Sequence, residues 1–458
     1  MKVIICGAGQ VGYGIAERLS QEGNDVSVID VSASLISATT DMLDVRGYVG
    51  HGAHPDVLAK AGADQADMII AVTLYDEINM VACQVAHSLF NVPTKIARIR
   101  AQSYLQSHYS DLFSRDHMPI DVTISPEVEV GKMVLRRISY PGATDIVRFV
   151  DDNVAMLAIE CTEDCPVLNT PLAQLAQLFP DLMATVTGVY REGRLFIARS
   201  GDQLRAGDLA YVICHRDHTR RTLSLFGHEE TEARRIVIAG GGNIGYYVAK
   251  TIEEMQPKTS LKIIEANRDR AIAISEQLNH AIVLNGSVLE QNILQQVDIQ
   301  DAELLVALTN NDQTNILSAV MAKELGCKSS LVLLNNPSFH DMTKAVGIDA
   351  HINPRAVTIS RVLQHVRKGR IRSVYAVQKG AAEVIEAEAL ETSPLVGVPF
   401  RDLELPKGIR LGAIYRDGKM LTLNGDTKIK AKDRVVLFAL AESVRHVEQM
   451  FRVSIQYF

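Results

Sequence analysis

A chain of 458 residues is too long for one ordinary hydrophobic core, so several domains are expected. An apolar fraction of 47% and a charged fraction of 22% are those of a globular protein, and a formal charge of -7 excludes a chain-wide basic field for nucleic acid. No apolar run approaches the roughly 18 residues of a membrane span, the start "MKVIICGAG" lacks a signal-peptide layout, and six scattered cysteines make no disulfide scaffold, so a cytoplasmic location is expected.

The first predicted element is the strand "KVIIC", followed by the turn Gly7-Ala8-Gly9-Gln10-Val11-Gly12 and a helix with Ile15, Ala16 and Leu19 at helical spacing. "DVSVID" is the second strand and ends at Asp30, eighteen residues after Gly12. His51 and His54, in "GHGAHP", precede a helix that can begin at Pro55, and a structural role suits two histidines without a third ligand. "DMIIAVT" is a further strand, closed by Thr73, and "KIARIR" is another, with Ile96, Arg98 and Arg100 on one side. Near-continuous apolar strands separated by helices predict a parallel sheet covered on both faces. "SPEVEVGKMVLRRI", from Ser125, then predicts a helix whose stripe is Val130, Val134 and Ile138. It is either a linker or a helix packed at a subunit interface.

A smaller unit follows. Cys161 and Cys165 form a C-x3-C pair with no second cysteine pair near it, which gives little support for a metal or redox role. "YREGRLFIA" reads as a hairpin with its turn at Glu192-Gly193. "CHRDH", Cys214 to His218, follows the strand "LAYVI" and is more simply a polar strand exit than a metal site.

Then the plan repeats. "RIVIAG" leads into Gly240-Gly241-Gly242-Asn243-Ile244-Gly245, and "LKIIEA" carries Glu265, twenty residues after Gly245. "LTNNDQTNILSAVMA" matches "VTLYDEINMVACQVA", aligning Thr309, Asp312 and Asn315 with Thr73, Asp76 and Asn79. "SSLVLL" brings Val332 or Leu333 to the place of Arg98, so the two copies differ in chemistry there. "NPRAVTISRVLQHV", from Asn353, is the second linker helix, with the stripe Ile359, Leu363 and Val366. The basic run Arg367 to Arg372 reads as a solvated turn, and "YRDGKMLTL" is a second hairpin turning at Asp417-Gly418. The expected fold class is α/β: two Rossmann-like parallel-sheet subdomains, each followed by a small α+β subdomain, in A-B-A-B order. The boundaries are placed at 1–124, a linker helix 125–142, 143–227, then 232–350, a linker helix 351–367, and 368–453.

Each glycine turn follows an apolar strand, opens an amphipathic helix, and has an acid at the end of the next strand. Gly7 or Gly240 makes the tight turn, Gly9 or Gly242 lets a pyrophosphate approach the backbone, and Gly12 or Gly245 brings the helix close to the sheet. Helix N–H groups then hold phosphate. Asp30 and Glu265 would accept ribose hydroxyls and repel a 2′-phosphate, which favours NAD(H) over NADP(H) without excluding ATP, ADP or AMP. Alternatively Asp30 caps the next helix, and Glu265 is a solvated strand end. Thr73 and Thr309 stand where ligands bind in such sheets, or cap the following helices. Arg98 would meet phosphate oxygens, or is an exposed edge-strand residue. The chain has no G-x-S-x-G elbow, Walker lysine or H-E-x-x-H, and the α+β unit is too small to build much of a substrate pocket. Nucleotide recognition without a catalyst is the composition of a sensor. The alternatives are an NAD-dependent oxidoreductase and a redox-sensing module with a soluble partner.

"GAGQVG", "GHGAHPDVLAKAGADQADMIIAVT", "DEINMVACQVAHSLFNVPTKIARIR", "GGGNIG" and "AVTISRVLQHVRKG" resemble the tandem RCK (also called KTN) family of regulatory subunits of bacterial Trk potassium-uptake systems, over essentially the whole chain. The resemblance implies a non-enzymatic protein, peripheral on the inner face of the cell inner membrane. It implies a ring, expected to be a homo-tetramer, below a membrane-embedded potassium transporter, with potassium transport gated by NAD or NADH and by ATP or ADP as competing ligands. Its nucleotide sites would be Gly7, Ala8, Gly9, Gln10, Val11, Asp30, Thr73, Leu74 and Arg98 in the first copy. In the second they would be Gly240, Gly241, Gly242, Asn243, Ile244 and Glu265.

Overall fold

The computed structural model describes residues 1–343, 345–366 and 371–451; most of the basic run Arg367 to Arg372 and both ends of the expected last domain, 368 and 453, lie outside the described residues. In the first copy the chain runs β1 (Lys2–Cys6), α1 (Gln10–Gln21), β2 (Asp25–Asp30), α2 (Ala33–Met42), β3 (Arg46–Val49), α3 (Pro55–Lys60), β4 (Met68–Ala71), α4 (Asp76–Phe90), β5 (Thr94–Arg98), β6 (Val122–Ile124) and α5 (Pro126–Ser139). The strands pair in parallel in the order β3-β2-β1-β4-β5-β6, the doubly wound arrangement that places ligands where the order reverses, between β1 and β4. β1 and β4 are buried on both faces, as apolar runs covered by helices must be.

An antiparallel unit follows: β7 (Asp145–Phe149), β8 (Val154–Glu160), α6 (Leu172–Leu178), β9 (Ala184–Arg191), β10 (Arg194–Ile197), β11 (Leu209–His215) and α7 (Thr219–Leu225), with sheet order β10-β9-β11-β8-β7. The hairpin turn has φ of 46° at Glu192 and 81° at Gly193, the double left-handed pair that matches strand twist. The second Rossmann-like fold is β12 (Arg235–Ala239), α8 (Asn243–Met255), β13 (Ser260–Glu265), α9 (Arg268–Ser275), β14 (Ile282–Asn285), α10 (Gln291–Gln296), β15 (Leu304–Ala307), α11 (Asp312–Glu324), β16 (Ser329–Leu333), β17 (Ala350–Ile352) and α12 (Pro354–Val366). Its sheet order, β14-β13-β12-β15-β16-β17, repeats the first. The last unit is β18 (Ile371–Val377), β19 (Ala382–Glu388), β20 (Ile409–Arg416), β21 (Lys419–Leu421), β22 (Arg434–Leu440) and α13 (Val444–Met450), ordered β18-β19-β22-β20-β21.

Like modules pair with like. One compact unit holds Met1–Val134 with Arg234–Val366, and the other holds Leu135–Ala233 with the described chain after residue 370. Inside the first unit the linker helices cross over. α12, from the second copy, buries Val362 and Val366 among Ile5, Ile15, Leu19 and Ile124 of the first. Each such buried valine contributes about 1.5–3 kcal/mol. α12 lies against α1 because Gly14 leaves room for Ile359, whose Cδ1 would be 2.4 Å from an added Cβ. The pairing is returned on the other side, where Gly131 of α5 makes room for the Tyr247 ring of α8. The predicted helices are therefore packing helices, and the surface each covers belongs to the other copy of the same chain.

In the second unit the two sheets share a core of Phe149, Met156, Ile213, Val384, Val436 and Phe438. Glu386 is almost fully buried there, yet its Oε2 accepts the Val150 N–H at 2.8 Å and its Oε1 meets the Arg434 guanidinium. A buried carboxylate is sustained only by such pairing.

Candidate nucleotide site

The first cleft begins where β1 turns into α1. Gly7 has φ of +110°, left-handed backbone that glycine adopts freely. A Cβ on Gly12 would lie 1.8 Å from the Gly7 oxygen, so α1 approaches the sheet only because this residue is glycine. Gly9 is different: an added Cβ would meet nothing within 4 Å, so it faces open space. α1 has no side-chain cap on its first-turn amides, whereas the next helix, α2, is capped by Ser32 accepting the Leu35 N–H. The same contrast recurs in the second copy, where α8 is uncapped, α9 is capped by Asn267, and a Cβ on Gly242 would also meet nothing. Uncapped amides at an open glycine suit an anion.

The two acids are held by backbone. Asp30 Oδ2 accepts the Ala8 N–H at 2.7 Å and Oδ1 accepts the Ser32 N–H at 2.8 Å. Glu265 repeats this with the N–H groups of Gly241, at 2.6 Å, and Asn267, at 2.8 Å. Each carboxylate is thus fixed beside its glycine turn with lone pairs left to accept ribose hydroxyls. Neither acid is itself the helix cap, since Ser32 and Asn267 do that work, and Glu265 is half-buried and tied down, unlike a solvated strand end. The longer Glu265 fits because Gly241 stands where the first copy has Ala8; a Cβ at Gly241 would be 3.2 Å from Glu265 Oε2 and 2.4 Å from Ile274 Cδ1.

Thr73 lies two residues beyond β4. Its N–H and hydroxyl both donate to Asn79 Oδ1, at 2.8 and 2.7 Å, and Asn79 Nδ2 donates to the carbonyls of Thr73 and Arg98. Thr309 and Asn315 repeat the network, with Leu333 in place of Arg98. These threonines therefore brace the strand-to-helix turn through an internal asparagine rather than capping a helix end. Sequence alignment pairs the asparagines without revealing that role. Leu74 is 71% exposed at this rim. Val11 and Ile244 are half-buried in the first turns of α1 and α8, while Gln10 and Asn243 are exposed.

Arg98 ends β5, which lies between β4 and β6, so the edge-strand alternative fails. Its Nη2 donates to the Thr73 carbonyl at 2.7 Å, and its buried Nε has no partner among the described residues. Burial, with Arg100 adding repulsion, lowers its pKa from the usual guanidinium value. A desolvated guanidinium with an unused donor beside the rim fits a phosphate. Two further arginines escape sequence reasoning. Arg355, at the start of α12, donates to Gln10 Oε1 in the first copy's glycine turn. Arg270 of α9 donates from Nε to the Gly241 carbonyl at 2.8 Å and lies over the Tyr246 ring, 5.7 Å from its centre. Comparing the aligned segments exposes Arg270, which stands where the first copy has Leu35; only the crossing of α12 exposes Arg355.

The loop that carries His51 and His54 adjoins the first cleft, since the Gly50 N–H donates to the Asp30 carbonyl at 2.9 Å. His51 and His54 stack at 4.5 Å ahead of α3, and His51 Nδ1 accepts the Ala53 N–H. His215 and His218 bond to the backbone of Asp217 and Leu182. Among the described residues no three His, Cys, Asp or Glu side chains gather as metal ligands, and no helix is long and apolar enough to cross a membrane.

Comparison with known proteins agrees with this architecture. The TrkA-N domain model matches residues 3–126 and 236–354, and the TrkA-C domain model matches 156–227 and 384–452. A "Trk system potassium uptake protein TrkA" from Azorhizobium caulinodans is 57% identical over 458 residues, covering 100% of both chains. Among solved structures, the GsuK channel bound to NAD superposes with a TM-score of 0.60 at 17% identity, over 98% of this chain and 78% of that one. GsuK bound to ADP gives 0.50 at 14% identity, over 80% and 69%. At those identities the likeness speaks for the fold alone, two Rossmann-like sheets each followed by an RCK C-terminal subdomain. By the family models and the whole-length relative together, the chain belongs to the TrkA family of Trk system potassium uptake proteins.

Proposed function

We propose that this chain is the regulatory subunit of a potassium uptake transporter, binding NAD(H) or adenine nucleotides in its two Rossmann clefts and passing the binding state to a membrane partner. The carrying observation is the repeated contrast at the glycine turns: an uncapped helix, a glycine open to space, and an acid held beside it by backbone amides. In the first cleft, Gly7 to Val11 would cradle phosphates, Asp30 would take the ribose hydroxyls, and Thr73, Leu74 and Arg98 would line the far rim. In the second, Gly240 to Ile244 and Glu265 would do the same, with Arg270 as the nearby cation. The bound nucleotide leaves unchanged: it acts by the difference in its affinity between conformations, and a tenfold difference supplies about 1.4 kcal/mol per site. The GsuK structures with NAD and with ADP support a fold able to accept both ligand types. A homo-oligomeric ring, expected to be a tetramer, peripheral on the cytoplasmic face and built from domains divided near 124, 142, 227, 350 and 367, completes the reading.

The test is calorimetric titration of the intact chain with ATP, ADP, NAD and NADH, repeated with Asp30→Ala and Glu265→Ala. Each substitution is expected to remove binding at its own cleft; unchanged affinities would dismiss that acid as a ribose contact. Potassium flux through the reconstituted transporter, compared under ATP, ADP and NADH, tests the coupling, and equal flux despite measured binding would end it. Sustained consumption of NADH with a small-molecule substrate would favour an oxidoreductase instead.

A further inference from the structure

The two Rossmann-like folds hold their acids in the same way but surround them with different side chains. Asp30 is the register partner of Val49 on β3, and Glu265 is that of Asn285 on β14. Val31 follows Asp30, and Leu35 stands in the first turn of α2, its N–H donating to the Ser32 hydroxyl. These apolar side chains stand around one carboxylate and face solvent: Val31 is 69% exposed, Val49 58% and Leu35 41%. A single exposed aliphatic residue is ordinary, whereas several at adjoining positions make a patch. In the second copy Ala266, Asn285 and Arg270 occupy the same places. One fold thus carries both sets, so the backbone does not require the apolar one.

The polar set is committed to the protein itself. Asn285 Nδ2 donates to the carbonyls of Glu265 and Ala266, at 2.9 and 3.1 Å. Arg270 Nε donates to the Gly241 carbonyl at 2.8 Å, with its guanidinium over the Tyr246 ring. Ala266 offers one methyl group. The valines and leucine of the first copy instead present surface that gains by leaving water. A nucleotide supplies the matching surface at this point. Its base leaves the ribose from C1′, beside the 2′-hydroxyl, and its phosphates leave from C5′. With phosphates on the turn after β1 and hydroxyls on Asp30 at the end of β2, the base falls beyond Asp30, where β3 ends. The sheet order β3-β2-β1 fixes that direction.

We infer that Val31, Leu35 and Val49 seat the face of a purine base, and that only the first cleft discriminates among nucleotides by their base. The inference rests on the nucleotide-binding reading above and adds which part of the ligand each cleft reads. A two-ring purine covers more of the patch than a one-ring pyrimidine, and the gain is proportional to the apolar area removed from water. Selectivity in the first cleft therefore follows ring size. The second cleft, with Ala266 and Asn285 at the other places, gives a base only the Arg270 guanidinium, and stacking of that kind accepts every base.

The test is calorimetric titration of the full chain with ADP and CDP, which share the sugar and both phosphates and differ in the base. Glu265→Ala isolates the first cleft and Asp30→Ala the second. In the first, ADP is expected to bind about tenfold more tightly than CDP; in the second, the two should agree within about threefold. Val31→Ala, Leu35→Arg and Val49→Asn together, added to Glu265→Ala, give the first cleft the side chains of the second. These positions are exposed, and each new residue already occupies the matching place in this fold, so the urea midpoint should stay at that of the Glu265→Ala chain. ADP affinity should fall to that of CDP, and CDP affinity should hold. Equal binding of ADP and CDP in the Glu265→Ala chain would overturn the inference and leave nucleotide binding in place. So would a preference for ADP that survives the triple change, or one equally large in the second cleft. Failure of both ligands to bind either single variant would instead overturn the reading beneath it, and the inference with it.

Discussion

A methyl group on Gly12 would lie 1.8 Å from the Gly7 oxygen, while one on Gly9, three residues earlier, would touch nothing. The same turn thus contains a glycine required by the fold and a glycine that faces open space. Gly12→Ala is expected to cost about 2–4 kcal/mol, because backbone and not a flexible side chain stands in the way. Gly9→Ala is expected to cost about 1 kcal/mol or less, and to weaken nucleotide binding in the first cleft about tenfold or more, since the new methyl fills the approach to the phosphates. Urea unfolding and calorimetry on the two variants separate the effects; a Gly9→Ala chain that binds normally would mean phosphate does not pass that residue. The places of Gly7, Gly9, Gly12 and Asp30 are legible in the sequence because they rest on spacing along one strand, one turn and one helix. Arg355 and the Asn79 brace are not, because their partners are remote in sequence and only folding brings them together.

For the elements, the apolar stripes of α5 and α12 identify the helices but leave their partners open, since a stripe records burial and not what covers it. The partners depend on shape: Gly14 opposite Ile359 on one side, Gly131 opposite Tyr247 on the other. In one contact the helix from the sheet gives way, and in the other the crossing helix does. Gly131→Ala would force a Cβ to within 2.3 Å of the Tyr247 ring and is expected to cost about 1–3 kcal/mol. Gly131→Ile with Tyr247→Gly copies the Gly14–Ile359 contact and should recover part of the loss; a double variant no more stable than Gly131→Ala would show that the crossing is not held by this fit. α12 also carries His365, whose buried Nε2 has no partner among the described residues. Burial, with Arg361 adding repulsion and Glu129 opposing it, lowers its pKa below the ordinary histidine value. Above about pH 6.5 this histidine is neutral folded and unfolded. As pH falls through that value the unfolded chain takes the proton first, so stability is lost on the acid side and the loss ends below the depressed folded pKa. His365→Gln should show a smaller fall in melting temperature between pH 7.5 and 5.5 than the parent chain; equal falls would remove His365 as a contributor.

Across the whole chain, the crossing means that neither Rossmann fold completes its own surroundings. Arg355 belongs to the second copy and meets Gln10 of the first, at the uncapped end of α1. Burial lowers its pKa, and Asp312 offsets this through space. A guanidinium directed at the positive end of a helix, bonded there to a neutral amide, is poorly compensated until an anion arrives. The first cleft therefore combines Arg98 from its own sheet with Arg355 from the other copy, whereas the second has Leu333 in the place of Arg98 and Glu127 at the helix position of Arg355. Charge on the ligand should matter more in the first cleft. Arg355→Gln is expected to weaken ATP and ADP there about tenfold, to leave AMP nearly unchanged, and to spare the second cleft when that is measured alone in an Asp30→Ala chain. The same loss should appear as reduced thermal protection by ATP, which at a hundredfold excess over Kd gives about 2.7 kcal/mol. Should ATP, ADP and AMP bind the Arg355→Gln chain as they bind the parent, while Asp30→Ala abolishes that binding, the phosphate chain ends short of α12, and the two copies must communicate through the packing of their helices rather than through the ligand.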